Sequence, residues 1–90
     1  MLSSTIKRKM LKFINDYFIK ESGIILKDDT LLVEDDIIDS TGVLELVAFI
    51  EETFEIKVED EEIISQNLDT INRLVDFIQL KLVKKTADLP

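Results

Sequence analysis

Along the first quarter of the chain Ile6, Met10, Phe13, Ile14, Tyr17 and Phe18 recur with helical spacing, and Lys9, Lys12, Asp16 and Lys20 take the opposite side. The pattern predicts a helix over residues 5–21, capped by Ser3 or Ser4 and stopped at Gly23. Aromatics so spaced pack a core more often than they line a ligand pocket, so Phe13, Tyr17 and Phe18 are expected inside.

The period is lost over residues 22–39. Ile24-Ile25-Leu26 and Leu31-Leu32-Val33 flank Lys27-Asp28-Asp29-Thr30 as two strands flank a turn, which permits a hairpin. An isolated two-stranded hairpin is marginal in water, and the remaining chain offers one further short strand candidate, at residues 55–58. The segment is therefore read as a long loop whose apolar residues close over the helices. Helical spacing returns at residues 41–54, with Val43, Leu46, Val47, Ile50 and Phe54 on one face and Glu45, Glu51, Glu52 and Glu55 on the others. Glu59-Asp60-Glu61-Glu62 then opens a short helical turn through Ile63 and Ile64, its acids at the positive end. Asp69-Thr70 caps a last helix that points Ile71, Leu74, Val75, Ile78 and Leu82 inward and places Lys81, Lys84 and Lys85 near its negative end. The expected fold is all-α: a small antiparallel bundle of three longer helices and one short helix, with a long loop between the first and second.

At 90 residues the chain is expected to be one domain, 1–90, with one modest core and little left over for an enzyme cleft. A 46% hydrophobic and 33% charged composition fits a folded protein rather than an acidic tail. No apolar run approaches the ~18 residues of a membrane span, and the basic Lys7-Arg8-Lys9 cluster is not followed by a signal-peptide core. Zero cysteines agree with a reducing compartment, so a cytoplasmic location is expected. The net charge of −8 is concentrated: residues 34–62 hold twelve acids and one base. Such a field repels nucleic acid and steers association with a basic protein surface, although a solvated acidic face gives the same composition.

Without histidine there is no Ser-His-Asp arrangement, and no lysine lies near Ser40 in sequence to serve as its base. For a metal only carboxylates remain, and the acidic runs lack the central glycine of an EF-hand, so no metal site is expected. Ser40 instead suits the role of acceptor for a phosphate-linked group. At a helix N-terminus the open amides and the dipole stabilise a phosphodiester, and Gly42 is expected to keep the first turn uncrowded for an approaching enzyme. Asp39 is placed to bind the Mg²⁺ of a phosphoryl-transferring enzyme or to orient the hydroxyl. Taken alone, Asp39 and Ser40 are also two favoured capping residues with no further role.

The longer pattern is more specific. Asp39-Ser40 followed by Val43, Glu45-Leu46-Val47, Ile50-Glu51-Glu52, Phe54, Ile56 and Asp60-Glu61-Glu62 resembles the acyl carrier protein family, over residues 4–83. The resemblance implies 4′-phosphopantetheine on Ser40, added by a phosphopantetheinyl transferase, and a non-catalytic chain that holds an acyl or aminoacyl group as a thioester. The thiol would come with the prosthetic group, which suits a chain without cysteine. The implied partners are, besides that transferase, an acyl- or amino-acid-activating ligase and acyltransferases, whose basic patches would meet Asp39, Leu44, Glu45, Ala48, Glu51 and Glu52. The implied setting is fatty-acid or secondary-metabolite biosynthesis.

The chain departs from the family in two places: Thr41 stands where leucine usually follows the serine, and Ile37-Ile38 replace a glycine-containing approach. Phe49 adds bulk where small residues are frequent, which is expected to narrow any cavity for a long chain. Together they point to a specialised rather than a housekeeping carrier, expected to be a monomer. The alternatives are an unmodified acidic helical adaptor for basic protein surfaces and an aminoacyl or D-alanyl carrier.

Overall fold

The structure, a computed structural model, describes residues 3–87, the side chains of 86 and 87 excepted. The two ends of the expected 1–90 domain lie outside the described residues. Within them there are four α-helices and no strand: α1 (Ser3–Ile14), α2 (Ser40–Phe54), α3 (Ser65–Leu68) and α4 (Ile71–Ala87). The helices form the small bundle expected, with the long loop between α1 and α2. Two contacts set α1 against α2: Phe18, beyond the end of α1, meets Gly42 in the first turn of α2, and Phe13 stacks on Phe49 further along. Early residues of one helix thus pair with late residues of the other, as antiparallel packing requires. At the opposite end, Lys85 in the last turn of α4 donates to the Glu55 carbonyl just past α2, at 2.6 Å. No helix among the described residues is long and apolar enough to cross a membrane.

Ile6, Met10 and Ile14 of α1, Leu46 and Ile50 of α2, and Ile71, Leu74 and Ile78 of α4 are all 0–1% exposed. Burying each such side chain stabilises by about 1.5–3 kcal/mol, against about 0–1 kcal/mol for an exposed ion pair, so this aliphatic contact holds the bundle together. Phe77, absent from the expected inward face of α4, is buried as well.

The expectation for the end of α1 needs correction. Ser3 and Ser4 are themselves helical, and the helix does not run to residue 21 as regular α-structure. It continues from Ile14 as a single π-helical turn, Asn15–Ile19. The wider turn holds an extra residue and rotates every later side chain backwards around the axis. Ile19, which regular α-spacing would put in solvent, is buried, while Tyr17, expected in the core, is 57% exposed. Phe13 and Phe18 are half-buried against the core. Ser22 then turns the chain, its hydroxyl donating to the Ile19 carbonyl at 2.9 Å, and Gly23 follows at φ +79°.

No hairpin forms in the loop. Leu32 and Ile38 are wholly buried and close over the helices, whereas Ile24, Ile25 and Val33 remain exposed. The loop is tied to the start of α4: the Leu32 amide donates to the Asp69 carbonyl at 2.8 Å and the Asn72 amide to the Asp28 carbonyl at 3.1 Å. Asp28 also pairs with Lys7 of α1. A loop of this length is ordered here because its backbone groups find partners at the start of α4 and the Asp28 side chain ties it to α1.

The short helix falls later than expected. Asp60–Glu62 makes only a 3₁₀ turn, and the separate helical turn is α3. Thr70 caps α4, its hydroxyl accepting from the Arg73 amide at 3.1 Å. Glu62 accepts from Lys81 Nζ at 2.8 Å and from the Glu59 amide at 2.9 Å. Burial acts to raise its carboxyl, but these two donors outweigh that and hold its pKa below the ordinary 4.5. A depressed folded-state pKa favours the native state above the unfolded value and loses that contribution in acid. Glu62→Gln is therefore expected to lower the urea midpoint at pH 7, with the deficit shrinking as pH falls below 4.5. A deficit independent of pH would show that the carboxylate charge does not matter.

Candidate functional site

Three consecutive residues point in different directions where α2 begins. Ile38 is driven wholly into the core, its amide donating to the Leu32 carbonyl at 2.9 Å. Asp39 is extended (φ −87°, ψ −176°) and folds its carboxylate back to cap the helix, Oδ1 accepting from the Gly42 amide at 2.7 Å. Ser40, the first helical residue, is left exposed, and no described residue hydrogen-bonds to its hydroxyl. Of the four amides that a helix start leaves open, Asp39 takes that of Gly42, and those of Ser40 and Thr41 remain at the positive end of the helix dipole.

Gly42 does not serve the purpose expected of it. It is buried rather than facing an approaching enzyme. A Cβ there would lie 2.8 Å from Phe18 Cε1, 3.1 Å from Ile38 Cγ2 and 3.2 Å from Asp39 Oδ1. The missing side chain lets the end of α1 seat against the first turn of α2.

Beyond Ser40, Thr41, Leu44, Glu45, Ala48 and Glu52 are all exposed. Their spacing puts them on one stripe of α2, on the side away from Leu46, Val47 and Ile50. Leu44 is 65% exposed, an apolar side chain standing among acids. Glu51 sits at the edge of the stripe and is half-buried; its Oε2 accepts from the Val58 amide at 2.9 Å and braces the chain that leaves α2. Of the seven residues singled out, the structure gathers Ser40, Leu44, Glu45, Ala48 and Glu52 on the accessible side of α2. Asp39 and Glu51 are already engaged with backbone amides.

Phe49 has its bulk in the seam between α1 and α2, its ring 3.9 Å from that of Phe13 and within 9° of parallel. Tyr17 stacks on the same Phe13 ring at 5.3 Å. The Glu45 carboxylate sits by the Tyr17 hydroxyl, which opposes ionisation of the phenol and raises it above its usual range. Sequence reasoning missed this neighbour of the stripe. Helical spacing puts Tyr17 inside, and only the π-turn brings it out.

An accessible hydroxyl at a helix start, beside an acidic and partly apolar stripe, suits a site acted upon by another protein.

No family model matches the chain. Proteins named Acyl carrier protein from Buchnera aphidicola subsp. Acyrthosiphon pisum, strains Tuc7 and APS, are each 36% identical to it over 58 residues, covering 64% of this chain and 70% of theirs. The protein of that name from strain 5A has the same identity and coverage.

The Gly42 contact carries a test. Alanine in place of glycine inside a helix ordinarily gains about 1 kcal/mol, and overpacking costs about 1–3 kcal/mol. Gly42→Ala is expected to lower the thermal midpoint, and the same change in a Phe18→Leu background to raise it. A stabilised single variant would mean that the ring moves aside freely.

Proposed function

The chain belongs to the acyl carrier protein family, and from that premise we propose that Ser40 bears its 4′-phosphopantetheine and that the stripe on α2 is where partner enzymes dock. A carrier role follows from the family; the attachment residue, the cargo and the partners are the reading offered here. The observation that carries it is the position of Ser40: accessible, first in α2, directly after an aspartate committed to the cap.

The residues fit the group. A phosphodiester on Ser40 Oγ would lie at the positive end of a fifteen-residue helix, within reach of amides that Asp39 has not taken. Gly42 and Phe18 hold the first turn in place beneath it, so the hydroxyl is presented by a rigid helix rather than a mobile loop. When bound, the prosthetic group supplies a flexible arm ending in a thiol, on which an acyl or aminoacyl unit is carried as a thioester.

The stripe explains how several enzymes can use one carrier. Glu45 and Glu52 lie outward in a segment whose twelve acids face one base, and a field of that sign draws a basic enzyme surface toward α2. Electrostatics of this kind raises the encounter rate more than the affinity, so each partner can leave after transfer. Leu44 and Ala48 offer an apolar contact once the charges have brought the surfaces together. The expected partners are a phosphopantetheinyl transferase, an acyl- or amino-acid-activating ligase and acyltransferases with basic patches.

Incubation with coenzyme A, Mg²⁺ and a phosphopantetheinyl transferase is expected to add the mass of one phosphopantetheinyl group, while Ser40→Ala remains unmodified and folded. A chain that stays at its original mass, or one modified equally well without Ser40, sinks the assignment. Reversing Glu45 and Glu52 to lysine is expected to slow modification at low salt and to leave the wild-type salt dependence largely abolished. Unchanged kinetics in that variant would remove the stripe from the docking surface.

A further inference from the structure

A groove of about 390 Å³ runs between α1 and α2, lined by Phe13, Tyr17 and Phe49 with Lys9, Lys12, Asp16 and Thr53 around them. It is mainly apolar, because the three rings form its aromatic side and the lysines contribute carbon stems. The Lys12 ammonium is paired with Asp16 at 2.9 Å, so on the α1 rim the charge left over is that of Lys9, while the α2 side opens toward Glu45.

Its place on α2 separates two possible occupants. Phe49 is nine residues from Ser40, about two and a half helical turns, so the groove and the serine lie on opposite sides of α2. Anything attached to Ser40 would have to pass round the helix to enter it. Glu45 is only four residues from Phe49, one turn away on the same side. Tyr17 and Phe49 both line the groove, so it opens beside the Glu45 edge of the acidic stripe. A protein docked on that stripe overlies it.

We propose that this groove is a second part of the docking surface, receiving a large apolar side chain of a basic partner whose adjacent lysine or arginine meets Glu45. Tyr17 touches both parts: its ring walls the groove, and its hydroxyl lies beside the Glu45 carboxylate. The partner chemistry follows from charge and shape together. The stretch from 34 to 62 selects a cationic surface, and the rings offer that surface a place for one desolvated anchor. The inference rests on the carrier reading above, since it takes α2 to be the docking helix.

Modification of the unmodified chain by a phosphopantetheinyl transferase with coenzyme A is the test, because that enzyme must approach α2 to reach Ser40. Truncating a buried interface aromatic commonly costs more than 1 kcal/mol, so Tyr17→Ala is expected to raise KM for the chain by about fivefold or more with kcat unchanged. Tyr17→Phe, which keeps the ring and removes the hydroxyl beside Glu45, should give a smaller rise that vanishes in a Glu45→Gln background. Tyr17 is more than half exposed, so both variants should fold, and thermal midpoints within a few degrees of wild type will show that they do.

In parallel, adding the transferase to ring-labelled Ser40→Ala protein is expected to shift the resonances of Tyr17, Phe13 and Phe49. An unchanged KM for Tyr17→Ala while Ser40 is still modified overturns the groove and leaves the carrier reading standing. Ring shifts that grow with the chain's own concentration, without enzyme, overturn it in favour of a second copy. No modification of the wild-type chain at all removes the carrier reading and this inference together.

Discussion

The close approach of Phe18 to Gly42 is the contact on which the end of the molecule that presents Ser40 depends. With no side chain at Gly42, an aromatic ring from the end of α1 reaches the first turn of α2, closer than any Cβ would allow. That approach sets the separation of the two helices. The separation in turn lets Phe13 and Phe49 stack at 3.9 Å and brings the Tyr17 hydroxyl to Glu45. Anchored on one side by this ring and on the other by the buried Ile38, the start of α2 has little freedom. Ser40 is outside because its neighbours are held inside. A serine on a loose segment would present the same hydroxyl in many directions, and an enzyme acting on it would have to order the segment first.

The acids of the chain divide by what they touch. Glu51 and Glu62 accept from backbone amides, and Glu62 also from Lys81, so they close the segments that follow α2. Asp39 caps a helix. Glu45 and Glu52 lie on the exposed stripe and add little to stability, because exposed charges are well solvated and screened. Stability comes instead from the aliphatic contact among α1, α2, α4 and the loop residues Leu32 and Ile38. With the core made of uncharged side chains, the outer face of α2 can carry a high density of negative charge at modest cost to the fold.

Much of this was legible in the chain. The inward faces of α2 and α4 follow from spacing alone, since Leu46, Val47, Ile50, Phe54, Ile71, Leu74 and Ile78 are buried as periodicity implies. So does the capping of α4 by Thr70. The end of α1 was not legible, because spacing arguments assume a constant turn and one π-helical turn exchanges Tyr17 for Ile19. The short helix was misplaced because an acidic run marks a helix start without fixing how many residues follow: Glu62 turns back to Glu59, ending the 3₁₀ turn, and α3 begins separately. Gly42 was read as an open position when it is a packed one. Composition shows that a glycine is present but not which distant ring lies against it.

The exposure of Tyr17 and the close packing at Gly42 have one physical origin, and it bears on function. Both residues lie in the seam between α1 and α2, where a wide turn and a missing side chain bring aromatic rings nearer to α2 than regular packing would. A regular α-helix in place of the π-turn would turn Tyr17 toward the core and away from Glu45. A larger residue at 42 would push Phe18 off the first turn. The first change would also bring Ile19 out of the core, and either would alter the face that α2 shares with α1. The seam therefore governs presentation: how Ser40 projects, where Glu45 points and whether an apolar groove lies beside it.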